Sequence, residues 1–278
     1  MRFLLCVASD FRSGFLDVRR RLGLLALVSA GMAGFTWLLA KAMPYLQIDM
    51  TYGDMVVSVL GGIMKYEPDK GDVFRFPAAW SLLLMAVAYV PLSYPYRDLM
   101  GFGKSVLVAS GSRISWWLSK CLWVIAATLA SFTVFLALSA GAALLAGGGL
   151  SPTISSGLPT LAGFMAMTSP ISCDLPAFLA VAVVVVCSLC LLQTALSLVV
   201  RPVLSFAFTA ALLLASAYVY SPLLLGNYLM VARTAGVAEE AMDPTTGLVL
   251  AVVVGVASVV GGGAYFSRMD CVGKEFEA

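Results

Sequence analysis

Six long apolar stretches limit what this chain can fold into: residues 22–43, 78–94, 117–146, 175–200, 203–225 and 247–267. A helix needs about 20 apolar residues to cross the hydrocarbon core of a bilayer, whereas a membrane barrel strand needs only about 10 alternating ones. Segments such as AVVVVCSLCLLQ, apolar on every side, belong to lipid-facing or bundle-buried helices. The expected fold is all-α, a single transmembrane domain over residues 1–278 with six transmembrane helices. Composition agrees, with 61% apolar and 12% charged residues against about 25% charged in soluble domains.

Charge sets the expected orientation, because Lys and Arg near span ends are retained on the cytoplasmic side. With the N-terminus inside, the inner segments hold twelve of the 17 basic residues, among them Arg12, Arg97, Lys104, Arg113, Lys120 and Arg201. The outer segments keep Lys41, Lys65, Lys70, Arg75 and Arg233, together with nine of the 15 acids. Both termini are therefore expected in the cytoplasm. The net charge of +2 conceals this asymmetry, which speaks for topology and not for nucleic acid as a partner. Residues 1–21 place Phe3, Leu4, Val7, Phe11, Phe15, Leu16 and Val18 at helical spacing, the pattern of an amphipathic interfacial helix leading into the first span. Ala40-Lys41-Ala42 has the small-x-small shape of a signal-peptide cleavage site, but the preceding charged region and the apolar run are both too long for one.

Between the second and third stretches lies YPYRDLMGFGKSVLVASGSRISWWLSK. Gly103, Lys104 and Ser105 match the end of a phosphate-cradling GxxxxGK[ST] loop, but Asp98 occupies the place of its first glycine and no strand precedes it. The nucleotide-loop reading is therefore rejected. Gly101, Gly103 and Gly111 break the helix on either side of SVLVAS, giving a helix-turn element against the inner membrane face. An ordinary basic inner loop fits the same residues. Trp116 and Trp117 are expected as headgroup anchors of the third span, as Arg19, Arg20 and Arg21 are of the first.

An amphipathic N-terminal helix, six spans, both ends inside and the basic loop 95–116 with its WW-x-x-K ending resemble the permease subunits of bacterial ABC transporters of the type-two, exporter-like family. The likeness in topology covers the whole chain; the likeness in sequence is confined to YRDLMGFGKSVLVASGSRISWWLSK. It implies that this chain is no enzyme, that ATP and Mg are bound by a separate ATPase subunit dimer, and that residues 95–116 couple to it. Arg97, Asp98, Gly101, Gly103, Lys104 and Arg113 would form the coupling element. The resemblance further implies alternating access in the cell membrane, a second permease copy or a different permease as the other half, and a peptide, drug-like or lipidic substrate. It also implies a short broken helical segment outside, between the fifth and sixth spans, where GNYLMVARTAGVAEEAMDPTTG stands. Small-residue rows at Ala26, Ala30 and Gly34 and at Ala257 and Gly261 suit close helix packing, between halves or within one.

Other classes fit less well. A gradient-driven carrier needs ionisable groups within the membrane, and none is expected in the span cores of this histidine-free chain. An intramembrane hydrolase lacks a base, and Cys187-x-x-Cys190 has no second ligand pair, so neither a catalytic nor a metal site is expected. A substrate-capturing importer subunit stays open as an alternative. The acidic outer loops, including KYEPDKGD as a small ordered cap, follow from the inside rule or from a cationic cargo.

Overall fold

The structure, a computed structural model, describes residues 2–67, 73–101, 103–163 and 173–269. The end of KYEPDKGD, Phe102 of GFGKS and the tail that holds Lys274 lie outside the described residues. Among the described residues ten α-helices follow one another: α1 (Arg2–Ala42), α2 (Tyr52–Leu60), α3 (Ala78–Tyr89), α4 (Tyr94–Met100), α5 (Gly103–Ser110), α6 (Arg113–Ala146), α7 (Leu158–Ala162), α8 (Leu175–Ser197), α9 (Pro202–Tyr218) and α10 (Pro244–Arg268). No strand occurs among the described residues. Among the described residues five stretches are long and apolar enough to cross a membrane: Phe3–Ala42, Ala78–Met100, Arg113–Ala146, Leu175–Ser197 and Pro244–Arg268. The sixth apolar helix, α9, has 17 residues.

The bundle has two unlike ends. One gathers the N-terminal half of α1, α4, α5, the start of α6, the turn between α8 and α9, and the end of α10, where Arg113 of α6 donates to Ser267 O at 3.0 Å. We call it the basic end. The opposite end is capped by α2, α7 and two 3-10 turns, Leu225–Leu229 and Val231–Arg233, whose Ala232 N–H donates to Gly61 O at 2.9 Å. Between the ends the core is built on indoles: Trp80, Trp116, Trp117 and Trp123 are all buried, and only Trp37 of the five tryptophans is exposed.

Several elements differ from the sequence expectation, each for a local reason. The interfacial helix and the first span are one helix of 41 residues, about 60 Å long. No proline interrupts it, and Gly14 lets it close on α6, since a Cβ there would fall 2.2 Å from Trp123 Nε1. The second stretch, expected over 78–94, is instead broken by a turn at 90–93, where Pro91 lacks the N–H that a continuing helix needs. The fifth, expected to reach residue 225, ends at Tyr218. Pro222 lies inside that expected span, and residues before a proline avoid helical geometry. Beyond it, the segment expected as a short broken helical piece forms the two buried 3-10 turns. Residues 95–116, expected as a basic loop carrying a helix-turn element, hold most of α4, then α5 over SVLVAS, ending before Gly111, and the start of α6.

Candidate functional site

The chemistry of the basic end centres on one buried cation. α6 starts at Arg113, with Ser112 Oγ accepting from Ser115 N–H at 3.3 Å. Its second turn presents Trp116, Ser119 and Lys120 inward. Lys120 is fully buried, which is tolerable for an ammonium only when it is paired and hydrogen-bonded. It is paired twice. Nζ donates to Asp10 Oδ1 of α1 and, at 2.5 Å, to Asp98 Oδ2 of α4. Asp10 also accepts from Ser119 Oγ and, at 3.0 Å, from the Tyr94 hydroxyl, while Ser13 Oγ lies 2.9 Å from that hydroxyl. Aromatic faces close the site: Lys120 Nζ stands 4.7 Å from the Tyr94 ring centre and 4.8 Å from that of Trp116, within cation–π range.

One ammonium between two carboxylates joins three helices that are far apart in sequence. Asp10 reaches this place because Cys6, Asp10, Gly14 and Val18 recur every four residues, which turns them to one face of α1, and all four are buried. Asp98 reaches it because Gly103 makes room: a Cβ on Gly103 would lie 2.2 Å from Asp98 Oδ2 and 2.5 Å from Asp98 O. The backbone clash cannot be relieved by turning the Asp98 side chain. Gly103→Ala is therefore expected to displace α5 from α4, weaken the Asp98–Lys120 pair and lower stability by about 1–3 kcal/mol, read as a drop in thermal unfolding temperature in detergent.

The residues expected to meet a partner fall into two groups. Arg97 pairs with Asp17 of α1, Asp98 with Lys120, and Arg113 Nη1 donates to the carbonyls of Ser267 and Met269 at the end of α10. These side chains spend their hydrogen bonds inside the chain. The Lys104 side chain is half-buried and makes no hydrogen bond or ion pair among the described residues, and Gly101, Ser105 and Val108 are exposed. Val108, with 81% of its surface open, is an apolar side chain on the outward face of α5.

The expected headgroup anchors divide as well. Arg19 and Arg20 are exposed. Arg21 donates to Val90 O at 3.1 Å and to Ser93 Oγ, satisfying the turn that interrupts the second stretch. Trp116 and Trp117 are not at a lipid boundary: both are 1% exposed, Trp116 stacks on Phe266 with centroids 4.8 Å apart, and Trp117 Nε1 donates to Val259 O at 2.8 Å. Indoles large enough to fill the gap between α6 and α10 gain more from that burial than from the headgroup layer. The small-residue rows face away from the chain's own helices. Ala26 is half-buried, while Ala30, Gly34, Ala257 and Gly261 are exposed, and a Cβ on either glycine would meet nothing within 4 Å.

Lys120, expected in an inner segment, stands near the start of the Arg113–Ala146 stretch and is fully buried there as a structural charge. A second buried cation, Arg233, lies at the capped end, donating to carbonyls, Ser216 O at 2.7 Å, Ile63 O at 2.9 Å and Ala217 O at 3.2 Å, and facing the Tyr220 ring at 5.5 Å. Burial pulls its guanidinium down to about 10, which leaves it charged at neutral pH. The buried acid of the capped end is Asp54, which closes a capping box with Thr51 and accepts from Ser155 N–H at 2.7 Å and Ser155 Oγ at 2.6 Å. Sequence reasoning missed Lys120, Asp10 and Arg233 as structural charges. A signal for the first two was present: a lysine after an inward-facing tryptophan pair, and an acid in a four-residue repeat of otherwise small or apolar residues.

Helices of this length and apolarity, built around buried indoles and two buried cations, define a helical membrane protein. Within that class, residues 38–272 match a family described as protein of unknown function (DUF2705), and the chain belongs to that family. No curated protein and no solved structure matches it.

Proposed function

We propose that this chain is the membrane-spanning permease subunit of an ATP-driven ABC transporter, coupled to a separate ATPase subunit and exporting a peptide, drug-like or lipidic substrate from a bacterial cell. In this reading the chain passes the membrane six times, with α9 the shortest pass, and the basic end faces the cytoplasm. The observation that carries it is the α4–α5 element. It stands between the second and third passes, is locked to α1 and α6 through Asp10, Lys120 and Asp98, and leaves Lys104, Ser105 and Val108 outward. A docked ATPase pushing on α5 would move α4, and the buried ion pairs would carry that motion into α1 and α6. An ion-coupled carrier is the second reading, favoured by the same buried charges.

The test is co-purification with the ATPases encoded beside this gene. Lys104→Glu with Val108→Glu is expected to cut the captured ATPase by about tenfold, the loss of a charged and an apolar contact at an interface, while the chain still inserts. Arg97 and Arg113 are poor choices for that experiment, because their bonds lie within the chain. If no ATPase accompanies even the unaltered chain, the transporter reading fails.

A further inference from the structure

The N-terminal half of α1 sorts its charges by face. Both of its acids are engaged within the chain: Asp10 is buried against Lys120, Ser119 and Tyr94, and the half-buried Asp17 pairs with Arg97 on another face of the helix. Arg12, Arg19 and Arg20 point outward, are exposed, and make no hydrogen bond or ion pair among the described residues. Leu16, 61% exposed, shares that outer surface. The result is a strip of cations interleaved with an apolar side chain and free of acids, although the helix as a whole carries both signs.

We propose that this strip binds anionic phospholipid headgroups. Residues 16 and 12 are four apart, and residues 19 and 20 follow residue 16 at three and four, so the four lie along one side of the helix. The apolar run of the first span begins at Leu22, which puts Arg19 and Arg20 at the edge of the hydrocarbon. Arg12 stands seven residues further out, about 10 Å, comparable to the depth of one headgroup layer. Guanidinium forks match phosphate oxygens in pairs, and Leu16, between Arg12 and Arg19, meets the glycerol carbons. Zwitterionic lipids bring an ammonium that finds no carboxylate on this face, because Asp10 is buried and Asp17 is paired with Arg97. The preference is therefore for lipids of net negative charge. The inference goes beyond the transporter reading and needs no ATPase.

Native mass spectrometry of the full chain, exchanged with equal amounts of phosphatidylglycerol and phosphatidylcholine, tests it. The unaltered chain is expected to retain phosphatidylglycerol over phosphatidylcholine on the order of tenfold, since one basic residue near an anionic surface contributes a factor of about five. Arg12→Gln, Arg19→Gln and Arg20→Gln together should bring the ratio near one, and the three corresponding lysine substitutions should keep most of it. Should the glutamine variant insert poorly, a salt titration of the unaltered chain decides, the preference fading as ionic strength rises. Equal retention of the two lipids by the unaltered chain overturns the proposal and leaves the strip to an acidic protein partner. A preference that survives the glutamine substitutions, or that ignores salt, overturns it as well.

Discussion

Lys120→Met is expected to destabilise the chain by about 3–5 kcal/mol, the usual cost of removing one member of a buried ion pair. The substitution keeps the length of the side chain and its fit against Tyr94 and Trp116. It leaves the carboxylates of Asp10 and Asp98 facing one another with no cation between them. Asp10 retains Ser119 and Tyr94 as donors, so the Asp98 end suffers first, and α4 with α5 should loosen before the rest. Hydrogen exchange of residues 94–110 should rise while that of residues 52–60 at the capped end stays as it was. Thermal unfolding in detergent should shift down on the order of 10 °C. The decisive companion is the triple substitution Lys120→Met, Asp10→Asn, Asp98→Asn. A buried ionic cluster replaced as a unit by uncharged groups of similar shape is often close to neutral, so most of the lost stability should return. If the single and triple variants fall equally, the loss comes from packing around the lysine stem and not from the uncompensated carboxylates.

The second large effect is expected at Arg233, which holds the capped end together. α9 stops at Tyr218, and the carbonyls of its last turn have no partners within the helix. Arg233 supplies donors to two of them, Ser216 O and Ala217 O, and to Ile63 O in the segment after α2. A cation at a helix C-terminus is also favoured by the helix dipole. Asn227 Nδ2 continues the same task, donating to Ser221 O at 2.7 Å and Val219 O at 3.2 Å. Arg233→Leu removes every one of the arginine's donors at once. Each buried carbonyl left unpaired costs about 1–3 kcal/mol, and the charge's own desolvation is recovered, so the net loss should be about 3 kcal/mol. Limited proteolysis within residues 219–243 should accelerate accordingly. Arg233→Lys keeps the charge without the planar fork and should recover only part of the stability; full recovery would show that the charge alone matters.

Much of the architecture was legible in the residue order. Runs of about 20 apolar residues admit little besides membrane-crossing helices, and the regular structure among the described residues is helix without strand. Even two misplaced boundaries had their signal in the sequence, Pro91 interrupting the second stretch and Pro222 ending the fifth. The site was legible only as a place. The stretch after Pro95 was marked by its glycines and charges, but which charges face outward was not.

The reason lies in the range of the forces concerned. Apolar run length and proline are local properties, acting within a few residues of themselves, and from the sequence alone they marked where the long apolar helices fall, though not the short helices α2 and α7. Whether Asp98 meets a partner protein or Lys120 depends on a residue 22 positions away, and whether Asp10 is solvated depends on one 110 positions away. Trp116 and Trp117 likewise became core residues because α10 returned beside α6, bringing Phe266 and Val259 within reach. An indole or a carboxylate takes its role from what surrounds it, and helices distant in the chain supply those surroundings only once the bundle has closed.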